Sequence, residues 1–218
     1  MKRLIMSLGL AAALVTTGCL QKDTTSTIYI GADGRIEWIV LDRQVRSDEK
    51  DAAKRWAEEQ AYIDAVWSGR DNVTKSFKAL GGTNVRTQVL RDKVPYDVVR
   101  SANFDNLGKL FARELARCGV PHRSEYKTTG TVTTWTLAIQ VEPEPPAVEG
   151  CDEDGPLDGL SDAINHLEVV LESGAFTNAV GFKKVASDKM VLDDVSSDTI
   201  KKNGGWVIVS LTWDGEAR

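Results

Sequence analysis

The sequence predicts an α+β domain: a mainly antiparallel sheet with two or three packed helices and a β-rich C-terminal part. Three observations carry this expectation. A hairpin pattern followed by a helical pattern occurs twice before residue 118. From residue 124 onward, alternating apolar residues and turn signals dominate. No internal period recurs, which argues against a solenoid or a propeller. Hairpins interleaved with helices and then closed by further strands fit helices packed on an antiparallel sheet.

The elements follow in order. Residues 27–30 and 35–41 are β-rich runs, and Asp33-Gly34 between them supplies hairpin turn chemistry. Ser47 is expected to cap a helix, with Asp48 and Glu49 in its first turn suited to the helix dipole. Ala52, Trp56, Ile63 and Trp67 recur on roughly one helical face, which makes Trp56 a core candidate. Gly69 is a point of interruption; Val73, Phe77 and Leu80 continue the pattern, and Gly81-Gly82 end it. Val85, Thr87 and Val89 alternate as a strand, and residues 94–102 form the next, with a turn at 91–93. Pro95 requires that this second strand begin late or lie at an edge, because proline cannot donate to a ladder. Asp105 opens the clearest helix, with Leu107, Leu110, Phe111, Leu115 and Cys118 in one stripe and Gly119 and Pro121 as its stop.

Residues 124–127 and 131–141 read as a hairpin around Thr129-Gly130, with Trp135, Leu137, Ile139 and Val141 on one face. Residues 142–156 break the pattern: three prolines precede a cluster of acids, the composition of a functional loop or a linker. Residues 157–164 read as a short helix. Residues 166–172 fit either a strand or a helix, the strand being preferred. Residues 176–185 and 189–192 read as strands, 197–202 as a helical turn and 206–213 as a strand.

The first eighteen residues have the grammar of a secretory signal: Lys2 and Arg3, then an apolar run over 4–15, then small residues up to Gly18. The run is shorter than the roughly 20 residues a bilayer span needs. The stretch VTTGC at 15–19 resembles the lipobox of bacterial lipoprotein precursors. That resemblance implies cleavage between Gly18 and Cys19 and acylation of Cys19. The family prefers leucine where this chain has Thr16, so cleavage by the general signal peptidase is the alternative. Leu20 after the cysteine, in place of an aspartate, leans toward the outer membrane or a periplasmic face. Residues 19–26 would form the lipidated cysteine and a short tether reaching at most about 25 Å. Residues 27–218 would form one α+β domain with an acidic, proline-rich loop at 142–156; alternatively, 27–141 and 157–218 form two small units.

The chain carries 27 basic and 32 acidic residues, a net charge of −5. Loss of Lys2 and Arg3 with the leader takes this to about −7, and no basic cluster stands out, so nucleic acid is not an expected partner. With Cys19 acylated, Cys118 and Cys151 remain as a candidate disulfide, consistent with an oxidising compartment. Closing that loop of about 33 residues would contribute up to about 3.5 kcal/mol in the chain-entropy model. Two buried free thiols are the alternative.

The motifs of catalysis are missing. His122 and His166 are the two histidines and have no zinc-ligand spacing, and there is no nucleophile elbow, phosphate-binding loop or dinucleotide fingerprint. No cofactor is expected. Asp152, Asp154 and Gly155 echo a calcium loop but lack acids at its first and twelfth positions, Gly150 and Ser161, so a solvated acidic loop is the preferred reading. Trp135, like Trp56, lies on an apolar face and is expected in the core; Trp38, Trp206 and Trp213 are candidate binding residues at or near strand ends. The leading functional reading is a non-catalytic envelope lipoprotein, held to the membrane by an acyl anchor on Cys19 and presenting an interaction or structural domain at the membrane surface, with an envelope protein or a glycan as the candidate partner. A lipoprotein that binds a glycan or a small apolar ligand is the alternative, and an enzyme of unknown class comes third.

Overall fold

The computed structural model describes residues 20–141, 164–193 and 197–216. The fold is α+β, with eleven strands among the described residues arranged in two sheets. The chain opens with β1 (Leu20–Ile30) and β2 (Ile36–Ser47), then helices α1 (Ala52–Trp67) and α2 (Asn72–Ala79). Strands β3 (Thr83–Arg91) and β4 (Tyr96–Phe104) and short helices α3 (Leu107–Leu110) and α4 (Ala112–Arg117) follow. Next come β5 (His122–Thr129), β6 (Val132–Gln140), β7 (Leu167–Leu171), β8 (Ala175–Val180), β9 (Phe182–Lys184) and β10 (Lys189–Leu192). Helix α5 (Ser197–Lys202) and β11 (Trp206–Asp214) end the described chain.

The larger sheet runs β3-β4-β2-β1-β7-β10-β9, and the smaller runs β5-β6-β11-β8. All neighbours are antiparallel except β1 and β7, which pair in parallel from Ser26–Leu167 to Ile30–Leu171. Parallel neighbours need a long connection, and here most of the chain supplies it. Strands from before and after residues 142–156 therefore share one sheet. One apolar core draws on both sheets, from Ile28, Trp38 and Val40 to Trp135, Leu137 and Leu211.

Several expectations are corrected. Residues 20–26, expected as a tether, are strand: Leu20 pairs with Ser47 and Thr24 with Asp42. Their polar side chains conceal this, because the stretch has no apolar alternation and is held by its partners. The Ser26 hydroxyl accepts the indole N–H of Trp38 at 2.7 Å inside the core. Ser47 ends β2 and does not cap α1. Its hydroxyl bonds to Glu58, and the cap is Asp51, whose carboxylate accepts from the backbone N–H of Ala53 and Lys54 at 3.0 Å each. Gly69, in the left-handed conformation at φ 62°, lies between α1 and α2. The expected stripe from Leu107 to Cys118 breaks into two short helices, although Leu107, Leu110 and Leu115 are all buried. Strand β4 begins late, at Tyr96, but is interior rather than an edge, lying between β3 and β2.

Trp56 is 65 % exposed, and the residues that α1 buries are Glu59, Ile63 and Val66. Glu59 and Gln60 bond to Ser47 and Tyr96 at the strand ends, so the start of the helix, with Trp56, lies beyond the sheet and misses the core. Trp38, a candidate binding residue in the sequence, is instead fully buried against Phe77, Phe104 and Phe111, with ring centroids at 5.5, 6.3 and 5.7 Å.

Candidate functional site

The two ends of β1 mark two distinct places on the molecule. Eleven residues separate them, about 35 Å at the rise of an extended strand. At the far end, the β1–β2 turn meets the smaller sheet and leaves a cavity of about 370 Å³ between them. The turn is set by Asp33, whose Oδ1 accepts from the backbone N–H of Arg35 at 3.0 Å, and by Gly34 at φ 77°. Gly34 is also constrained by space, since a Cβ there would sit 2.9 Å from the Tyr126 hydroxyl oxygen.

Tyr126 and Trp213 form the aromatic part of this cavity, their ring centroids 6.0 Å apart in an edge-on arrangement. Trp213 also packs edge-on to Phe176 at 6.4 Å and is 5 % exposed, so little of its ring reaches solvent. The remaining lining combines the hydroxyls of Thr128, Thr131, Thr133 and Ser173 with the carboxylates of Asp33 and Glu216, backbone exposed at glycines, and the aliphatic Ile30 and Leu171. No lysine or arginine lines it among the described residues. Burial, and then the neighbouring Asp33 carboxylate, raise the Tyr126 phenol above its ordinary value, so it is a neutral hydroxyl at physiological pH. Such a cleft suits a neutral, hydroxyl-rich ligand and disfavours an anion.

A second polar cluster lies inside the fold. Arg100 of β4 is 1 % exposed. Its Nη1 donates to Asp42 Oδ2 at 2.6 Å, its Nη2 donates to the Tyr62 hydroxyl at 3.1 Å, and its Nε lies 3.1 Å from Asp71 Oδ1 without hydrogen-bond alignment. Burial opposes the charge on Arg100, but Tyr62, Asp42 and Asp71 together hold its pKa above the ordinary value. Asp42 also accepts from the Thr24 hydroxyl at 2.7 Å. Asp71 caps α2 through the backbone N–H of Thr74 at 3.2 Å. The cluster thus ties α1, α2 and three strands together. Arg100, Asp42 and Asp71 are all buried, and their bonds clamp the fold together.

The sites expected from the sequence are scattered. Trp213 borders the seam cavity. Trp206 is half-buried on β11, with the Arg123 guanidinium 5.2 Å from its ring centroid, and does not line that cavity. His122 lies against the Val120 carbonyl oxygen at 2.9 Å, and His166 lies beside Leu20, Lys22 and Arg46 at the other end of β1. Cys118 follows α4, half-buried. Gly18, Cys19, Cys151, Asp152 and Asp154 lie outside the described residues. Among the described residues there is no cluster of metal-binding side chains, and no helix is long and apolar enough to cross a membrane. The buried charges Asp42, Asp71 and Arg100 were not singled out from the sequence. The available signal was phase, since Arg100 falls on the inward positions of β4 between Val98 and Ala102.

No protein-family model matches the chain, and no curated protein matches it. Among solved structures, it is similar to the NMR structure of the Mycobacterium tuberculosis LppM protein folded domain. The identity is 11 % and the TM-score 0.37, over 94 % of this chain and 95 % of that one. A likeness at that score carries no functional argument.

Proposed function

We propose that the chain is a non-catalytic lipoprotein of the bacterial cell envelope, acylated at Cys19, that holds one α+β interaction domain directly against a membrane face. The observation that carries this reading is the leader ending in VTTGC one residue before the first strand begins at Leu20. Acyl chains stabilise membrane attachment by about 0.8 kcal/mol per buried methylene, and two or more give a stable anchor. With β1 starting at Leu20, little chain is left to act as a spacer. The domain would stand on the membrane by the end of its larger sheet, and the seam cavity would face away from it. The test is fractionation of cells expressing the full chain or Cys19→Ser. The expected result is that the substitution moves the protein from the membrane to the soluble fraction; a Cys19→Ser protein that stays membrane-bound would overturn the reading.

The seam cavity favours a second reading, in which the presented domain binds a neutral glycan. Its five hydroxyl side chains, its aromatic edge and the lack of basic side chains among the described lining residues support that ligand class. Titration of the full chain with a panel of neutral and anionic oligosaccharides tests it. A neutral member should bind and should bind more weakly to Tyr126→Phe; no binding across the panel would remove this reading and leave the anchor untouched.

A further inference from the structure

We propose that the end of the larger sheet where β1 begins is a bilayer-contact surface, with Leu20, Trp56, Leu90 and Val94 entering the boundary between headgroups and acyl chains. The inference rests on acylation of Cys19 and adds the face of the domain that meets the lipid. Consecutive Cα atoms are about 3.8 Å apart, so a cysteine whose chains lie in hydrocarbon keeps Leu20 at the interface. Whatever shares that end of the sheet is brought to the membrane with it.

The register identifies the neighbours. Leu20 pairs with Ser47 at the end of β2, and Val45 pairs with Tyr96 at the start of β4, so the β3–β4 turn lies at the same end. The backbone N–H of Ser47 donates to Glu59 at 3.2 Å, and Gln60 donates to the Tyr96 hydroxyl at 3.2 Å. The first turn and a half of α1, which includes Trp56, therefore extends past the paired strand ends. Leu20 is 37 %, Trp56 65 %, Leu90 56 % and Val94 43 % exposed. These are four of the eight exposed large hydrophobics described; the others, Trp67, Val132, Val180 and Val185, lie elsewhere. Trp67, eleven residues along α1 from Trp56, lies about 16 Å further along the helix axis, so the two tryptophans differ in distance from the anchor.

The rim carries both signs, with Lys22, Arg46, Lys50 and Lys93 against Asp23, Asp48, Glu49 and Asp92. Contact is therefore apolar rather than electrostatic, as interfacial insertion of tryptophan and aliphatic side chains allows. A zwitterionic bilayer suffices, and salt does not release the surface.

The test uses full-length protein extracted from membranes and reconstituted into phosphatidylcholine vesicles with brominated acyl chains, which quench nearby tryptophan. Its N-terminal mass is measured on the same sample. The expected result is partial quenching, unchanged by salt, that is lost in Trp56→Phe and kept in Trp67→Phe. Both tryptophans are exposed, so both variants should fold. An acylated protein whose quenching is absent, or survives Trp56→Phe, overturns the contact surface and leaves the anchor standing. An unacylated N-terminus overturns the anchor and the contact surface together.

Discussion

Arg100 donates through Nη1 to Asp42 Oδ2 at 2.6 Å, joining β4 to β2 with both side chains almost completely out of water. Removing one member of a buried pair leaves the other charge uncompensated, at a cost of about 3–5 kcal/mol. Asp42→Ala should therefore lower stability by about that much, read from the denaturant midpoint. Arg100→Lys should also destabilise, because a single ammonium cannot reach Asp42, Asp71 and Tyr62 together.

The phenol of Tyr62 titrates in the same cluster. Burial, the largest influence, raises its pKa to about 12. The folded value thus lies above the ordinary value near 10. Its contribution to stability is fully present below about pH 10 and is lost as pH rises through the folded pKa. Tyr96 and Tyr126 shift in the same direction, chiefly through burial. Unfolding measured between pH 9 and pH 12 should show stability falling across this window. Absorbance titration of Tyr62→Phe should lack one late-ionising phenol.

Ser26 offers a test of the extended first strand. Its hydroxyl accepts the buried indole N–H of Trp38, and leaving such a donor without a partner costs about 1–3 kcal/mol. Ser26→Ala should therefore destabilise the domain by that amount in chemical denaturation. A polar tether residue would give no measurable change.

Cys118 and Cys151 are proposed to form the disulfide. Thiol counting under denaturing, non-reducing conditions should find neither cysteine free. Reduction should lower stability by about 2–4 kcal/mol.

What the sequence makes legible follows from periodicity. The hairpin at Asp33-Gly34, the strand at β7 and the sheet strand β11 are readable because apolar alternation and turn residues mark them. The first half of β1 is not, because Lys22, Asp23, Thr24 and Thr25 show no inward apolar phase and are held by partners distant in sequence. Trp38 could have been placed in the core, since it shares its phase with Ile36 and Val40, both buried. Trp56 could not, because helical spacing locates a face but not where the sheet stops beneath it. The seam cavity joins residues from Ile30 to Glu216 and has no local signature. The clamp on Arg100 joins positions 58 residues apart and is visible only as charges at inward strand positions.

The anchor at Cys19 is the central claim, and intact-mass analysis of the full chain extracted from membranes tests it most directly. The expected result is a protein that begins at Cys19 and carries the added mass of two or three acyl chains. A protein that keeps residues 1–18, or begins at an unmodified Cys19, would contradict it.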